Sequence, residues 1–190
     1  MTATITLPRT ELMPKWSFRL MKWSWKITDL FHDPVRNLKD FGIKPGDTVI
    51  DYGCGPGRYI KKASDLVGPE GKVYAVDIHD LAIRSVLKLK NRYSLKNVQP
   101  MKAEEYFVPI AEDTADLIYV LDAFHMISNP TLFLEELHRH IKHNGRLILE
   151  DGHQSRRKSL KKIAKVDRWR ILEEHKKYVV LVPAWKFFPE

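Results

Sequence analysis

The chain has 190 residues, 44% of them hydrophobic, enough for one soluble globular domain with a substantial core. No apolar run approaches the roughly 20 residues a membrane-spanning helix needs, and the N-terminus lacks a charged-then-apolar secretory pattern, so the cytoplasm is the expected location. A single cysteine, Cys54, excludes a disulfide framework and a cysteine-based zinc cluster.

The net charge of +8 is unevenly spread: residues 1–48 hold 8 basic and 5 acidic side chains, 49–150 hold 13 and 14, and 151–190 hold 11 and 5. The centre is near neutral and the ends are basic, a distribution that attracts anionic partners or serves as a plain solvated face.

In chain order, residues 1–14 carry two prolines and no consistent period and read as an arm. Trp16, Leu20, Trp23, Ile27 and Leu30 then fall on one helical stripe, with Arg19, Lys22, Lys26 and Asp29 on another face. Such a helix either packs on its own domain or lies on a membrane surface. Pro34 ends it after Phe31-His32-Asp33, leaving His32 in a linker. Residues 35–41 read as a short helix with Gly42 as its cap, and Lys44-Pro45-Gly46-Asp47 as a turn.

The next stretch, Val49-Ile50-Asp51-Tyr52-Gly53-Cys54-Gly55-Pro56-Gly57-Arg58-Tyr59, reads as a strand, a glycine turn and a helix start that together cradle a small molecule. It is not a dinucleotide fingerprint, because the sixth position counted from Gly53 is Arg58, nor a phosphate loop, because G-K-[ST] is missing. Asp51 would repel a pyrophosphate and suits an ammonium group. S-adenosylmethionine carries an ammonium, a sulfonium and no phosphate.

A helix over 59–67 leads to Gly68-Pro69-Glu70-Gly71, and 72–76 reads as a buried strand ending at Asp77. An acid about 20 residues past the turn is at the spacing that reaches ribose hydroxyls in a βαβ unit. Asp80 is the expected N-cap of a helix with Ala82, Val86, Leu89 and Tyr93 on one face. Strands follow over 97–102, 116–121 and 146–150. The helix over 131–141 is expected to stop at His143-Asn144-Gly145, and a basic helix over 155–166 precedes a hairpin of 169–174 and 178–182. The tail residues Trp185, Phe187 and Phe188 could cap a sheet edge or meet a partner. Alternating strands and helices predict an α/β sandwich, a mostly parallel sheet with helices on both faces.

D-Y-G-C-G-P-G followed by V-Y-A-V-D-I-H resembles the first two motifs of class I S-adenosylmethionine-dependent methyltransferases, particularly the small-molecule branch similar to ubiquinone and menaquinone biosynthesis enzymes. The likeness continues through Ala103-Glu104-Glu105, residues 109–118 and residues 137–150. It implies a Rossmann-like seven-stranded sheet in the order 3-2-1-4-5-7-6, with an arm and lid helices over 1–44 and the methyltransferase domain over 45–190. It also implies that Asp51, Gly53, Cys54, Gly55 and Gly57 hold the methionine end of S-adenosylmethionine and Asp77 the ribose. Ile78, Ala103 and Glu104 would take the adenine side, and Leu121 and Asp122 would lie towards the methyl and acceptor.

A general base is needed where the acceptor starts protonated. His125 is the first candidate, since Asp122-Ala123-Phe124-His125 occupies the position that faces the methyl in the resembled family. His153 and His32 are the alternatives. That segment lacks the Asn/Asp-Pro-Pro-Tyr/Phe loop of many amide and base methylases, so nucleic acid is not an expected partner. No histidine spacing announces a metal, and none is expected. The expected activity is methyl transfer to a small, apolar or aromatic acceptor, with weak peripheral membrane contact through the N-terminal helix left open. The alternative is a non-catalytic S-adenosylmethionine-binding protein or a basic scaffold on RNA or membrane.

Overall fold

The computed structural model describes residues 36–184. The expected arm, the helical stripe from Trp16 to Leu30, the linker residue His32 and the aromatic tail lie outside them. Within them a seven-stranded sheet has the order β3-β2-β1-β4-β5-β7-β6, as the resemblance implies. The strands are β1 (Thr48–Tyr52), β2 (Lys72–Asp77), β3 (Val98–Lys102), β4 (Ala115–Val120), β5 (Ile141–Glu150), β6 (Trp169–Glu174) and β7 (Tyr178–Pro183). The first five run parallel, and β7 enters antiparallel between β5 and β6.

The helices are α1 (Arg36–Asp40), α2 (Ile60–Val67), α3 (Asp80–Tyr93), α4 (Pro130–His140) and α5 (Arg156–Ile163). Near-continuous apolar strands let alternate residues feed two cores. Val49, Val73, Ala75, Leu117, Tyr119 and Ile148 face Leu38, Phe41, Ile60 and Val86 on one side. Ile50, Val76, Ile118, Val120 and Leu149 face Phe133, Leu134 and Leu137 on the other. Both sheet faces are covered, which is why these strands lack a polar alternation. Phe41 packs edge-on to Tyr178 with ring centroids 5.4 Å apart, and Arg146 Nη2 donates to Phe41 O at 3.0 Å, so the segment after α1 is tied to the sheet. No described helix is long and apolar enough to cross a membrane.

Two local expectations are corrected. The cap of α3 is His79, whose Nδ1 accepts from Leu81 N at 3.1 Å, and Asp80 is the first helical residue. A ring nitrogen can take the orphan donor that a carboxylate was expected to take. Helix α4 ends at His140 and passes directly into β5, so His143-Asn144-Gly145 is not its stop. These residues instead form an irregularity in β5, where Ala115 pairs with Ile141 but Leu117 pairs with Arg146. A Cβ on Gly145 would lie 2.8 Å from the Ile141 side chain and 2.9 Å from Ala115 O, so the glycine is there for close packing.

Candidate active site

In an open α/β sheet, ligands lie beyond the carboxyl ends of the strands. The parallel register aligns four such ends here: Tyr52 pairs with Val76, Asp51 with Tyr119, and Val120 with Leu149. The residues immediately after β1, β2, β4 and β5 therefore share one rim.

The turn after β1 is fixed by its own backbone. Gly53 N and Cys54 N both donate to Val76 O, at 2.8 and 3.0 Å, and Gly55 N donates to Asp77 Oδ2 at 2.9 Å. Gly53 has φ +85°, and a Cβ there would stand 2.8 Å from that of Ala123, so the turn passes tightly under the segment following β4. At Gly57, φ +88°, a Cβ would meet Leu89 Cδ1 at 2.6 Å and Val86 Cγ2 at 3.2 Å. Gly57 thus supplies the close contact with a neighbouring helix that Arg58 denies at the sixth position. The Cys54 side chain is buried in the core, with its thiol pushed well above its ordinary range by burial and the nearby acids Asp51 and Asp77.

Asp51 is buried at 1% exposure, and burial pushes its carboxyl up to about 8. The Tyr119 hydroxyl beside it works against that rise and Asp77 adds to it, yet neither Asp51 Oδ2 nor the Tyr119 hydroxyl has a hydrogen-bond partner of normal geometry. A buried carboxylate oxygen without a partner is costly unless a cation or donor arrives. Asp77 is better satisfied: Oδ1 accepts from His79 N at 2.8 Å and Oδ2 from Gly55 N. Burial raises its carboxyl and these backbone donors pull it back. Each oxygen keeps a further lone pair for a ligand.

On the far side of the rim, Asp122 holds a left-handed backbone, φ +51°, and its N–H donates to Glu150 Oε2 at 2.8 Å. Asp is one of the few residues that tolerate this conformation without glycine's freedom, and the bond to Glu150 holds it there. A short 3-10 turn, Phe124–Met126, follows and carries His125. Lys162 Nζ from α5 clamps that turn through the carbonyls of Phe124 at 2.9 Å, Ile127 at 3.1 Å and His125 at 3.4 Å. His125 Nδ1 lies 3.8 Å and His153 Nε2 lies 3.5 Å from Asp122 Oδ1, and the two rings meet edge to face with centroids 5.0 Å apart. Partial burial lowers the basicity of His125, with Asp122 opposing, so the ring is neutral and able to accept a proton.

The fold thus brings Asp51, the glycine turn, Asp77, Asp122, His125 and His153 to one rim. Ile78 and Ala103 adjoin the end of β2, with Ala103 N donating to Asp77 O at 3.0 Å, and Leu121 is buried below Asp122. Glu104 is exposed and is tied through its backbone to Phe107. His32 lies outside the described residues. The sequence reading placed residues 151–153 at the rim but gave Gly152 no part, and it missed Glu150 and Lys162, which hold Asp122 and the His125 turn. A Cβ on Gly152 would fall 2.3 Å from His125 Nδ1. An Asp-Gly pair directly after a predicted strand was the one available signal.

These residues fit S-adenosylmethionine. A buried carboxyl with one oxygen free suits its ammonium, a second acid with spare lone pairs suits ribose hydroxyls, and no lysine or phosphate loop is required. Comparison with known proteins agrees. A family model described as a methyltransferase domain matches residues 43–181. The ubiquinone/menaquinone biosynthesis C-methyltransferase UbiE of Teredinibacter turnerae is 33% identical over 109 residues, 57% of this chain and 44% of that protein. The Pasteurella multocida UbiE is 29% identical over 166 residues, 75% and 62% of the two chains. The chain spans about half the length of the curated relatives it matches. Among solved structures, a SAM-dependent methyltransferase from Aquifex aeolicus is 32% identical with a TM-score of 0.66, covering 78% of this chain and 87% of that one. A methyltransferase structure from Methanococcus maripaludis, 16% identical, shares the fold with a TM-score of 0.73 over 91% and 95% of the two chains.

Proposed function

The chain belongs to the methyltransferase-domain family, and from that membership we propose that it transfers the methyl group of S-adenosylmethionine to a small, apolar or aromatic acceptor. The observation that carries the reading is Asp51: a buried carboxyl with one oxygen, Oδ2, lacking a hydrogen-bond partner, at the mouth of a glycine turn, with a second anchored acid, Asp77, nearby. The acceptor class is supported by the likeness to quinone-pathway C-methyltransferases.

When bound, S-adenosylmethionine would supply an electrophilic methyl group to the acceptor, with S-adenosylhomocysteine as the leaving group that keeps the electron pair of the broken carbon–sulfur bond. The chain's own contribution is placement, which is worth several kcal/mol for a displacement of this kind. Asp51 would pair with the ammonium, giving up its proton to do so. Asp77 holds Gly55 and His79 in place and offers its remaining lone pairs to the ribose. Where the acceptor is protic, His125, on a turn held by Lys162 and made less basic by burial, would take its proton.

The test is calorimetric titration with S-adenosylmethionine and, separately, NAD, followed by a screen of quinol-like and other apolar acceptors for S-adenosylhomocysteine release. Saturable binding of S-adenosylmethionine alone and turnover with an apolar acceptor are expected. Failure to bind it would sink the reading, and turnover only with RNA or a protein would replace the acceptor class. Asp77→Ala does not discriminate, since it also removes the anchor of Gly55.

A further inference from the structure

We propose that Asp122, His125 and His153 form a binding site for one divalent transition-metal ion of the zinc type, at the acceptor side of the rim. No local spacing in the sequence announces it, because Asp122 and His125 follow β4 while His153 follows β5. The parallel pairing of Val120 with Leu149 brings the two segments together.

One ligand atom from each of the three residues lies within 4.8 Å of the other two. Asp122 Oδ1 stands 3.8 Å from His125 Nδ1 and 3.5 Å from His153 Nε2. Both distances exceed a normal hydrogen bond. They are near the roughly 3.3–3.4 Å that separates two ligands of a tetrahedral ion bound at about 2.0–2.1 Å. His125 Nδ1 is buried with no hydrogen-bond partner. Its support is built: Lys162 fixes the carbonyls of its turn, Glu150 fixes the left-handed Asp122, and Gly152 clears the space that a side chain would take from Nδ1. His153 is 80% exposed and can turn inwards to close the set.

Two imidazoles and one carboxylate select a first-row transition ion over magnesium or calcium, which prefer all-oxygen shells. Three protein ligands leave an open position, the pattern of a catalytic rather than a structural site. That position would receive an acceptor through its oxygen or sulfur, the ion's charge favouring loss of the acceptor's proton in place of His125 as base; this role, though not the site itself, rests on the methyl-transfer reading.

The experiment uses the full chain without an affinity tag, stripped with chelator and titrated with Zn2+, with Mg2+ as control and Co2+ as a spectroscopic reporter. One equivalent of Zn2+ should bind, Mg2+ should not compete, and Co2+ should give the intense visible bands of a low-coordinate site. His125→Ala and His153→Ala should each weaken Zn2+ by more than the about 10–100-fold typical of an outer-sphere change, and should abolish the Co2+ bands. His153→Ala alters an exposed side chain, and its circular dichroism and melting temperature verify its fold. The site is refuted if the native chain binds no Zn2+ saturably, or if both variants bind as the native chain does, which would place the ion elsewhere. S-adenosylmethionine titration of the native chain separates the two proposals: binding of the cofactor without Zn2+ removes only the metal, and Zn2+ without the cofactor removes only the methyl-transfer reading.

Discussion

Asp51 illustrates how a ligand site draws on the stability of the fold. Its folded carboxyl sits at about 8 against an ordinary 3.8, so between those values the folded state binds a proton that the unfolded state has lost. Its contribution is favourable at low pH and falls as pH rises from about 4 to about 8. Asp51→Asn should remove that slope, raising the melting temperature of the ligand-free protein at about pH 8 while changing it little at about pH 4. The same variant should bind S-adenosylmethionine at least tenfold more weakly. In the native protein, binding near pH 7 should release a proton, measurable as a buffer-dependent calorimetric enthalpy that Asp51→Asn abolishes.

Among the elements, the turn after β1 is packed against two neighbours, with Gly53 against Ala123 after β4 and Gly57 against α3. Gly57→Ala should cost about 1–3 kcal/mol in denaturant unfolding, since φ is +88° and Val86 limits how far Leu89 can retreat. The strands and the glycine turn were legible in the sequence because an apolar run that ends in an acid and alternate glycines fits a strand-to-helix junction and little else. The junction of α4 with β5 was not: His143-Asn144-Gly145 has the composition of a helix stop, and only the pairing of β4 with β5 turns it into a sheet irregularity. His79 as the cap of α3 was hidden by the better capping residue beside it. His125 was legible by position, whereas its meeting with His153 depended on register across the sheet, which no local pattern encodes.

For the whole molecule, the basic C-terminal region has a structural part as well as a charged surface. Arg156 Nε donates to both oxygens of the buried Asp151, at 3.1 and 3.0 Å, and Nη2 donates to His175 O at 2.8 Å, tying α5 to the β6–β7 hairpin. Arg156→Ala strands a buried carboxylate, and a loss of about 3 kcal/mol is expected in chemical unfolding. Arg157→Ala, exposed on the same helix, should be near neutral.

The insertion of β7 between β5 and β6 also sets an order of events during synthesis. Until β7 docks, β4 can match β5 along one edge only and the other edge stays open. Throughout that interval a nascent chain carries Leu147, Ile148 and Leu149 on an open edge, a template for pairing with any neighbouring extended chain. Slower docking of β7 would lengthen the time in which neighbouring nascent chains can associate through that edge.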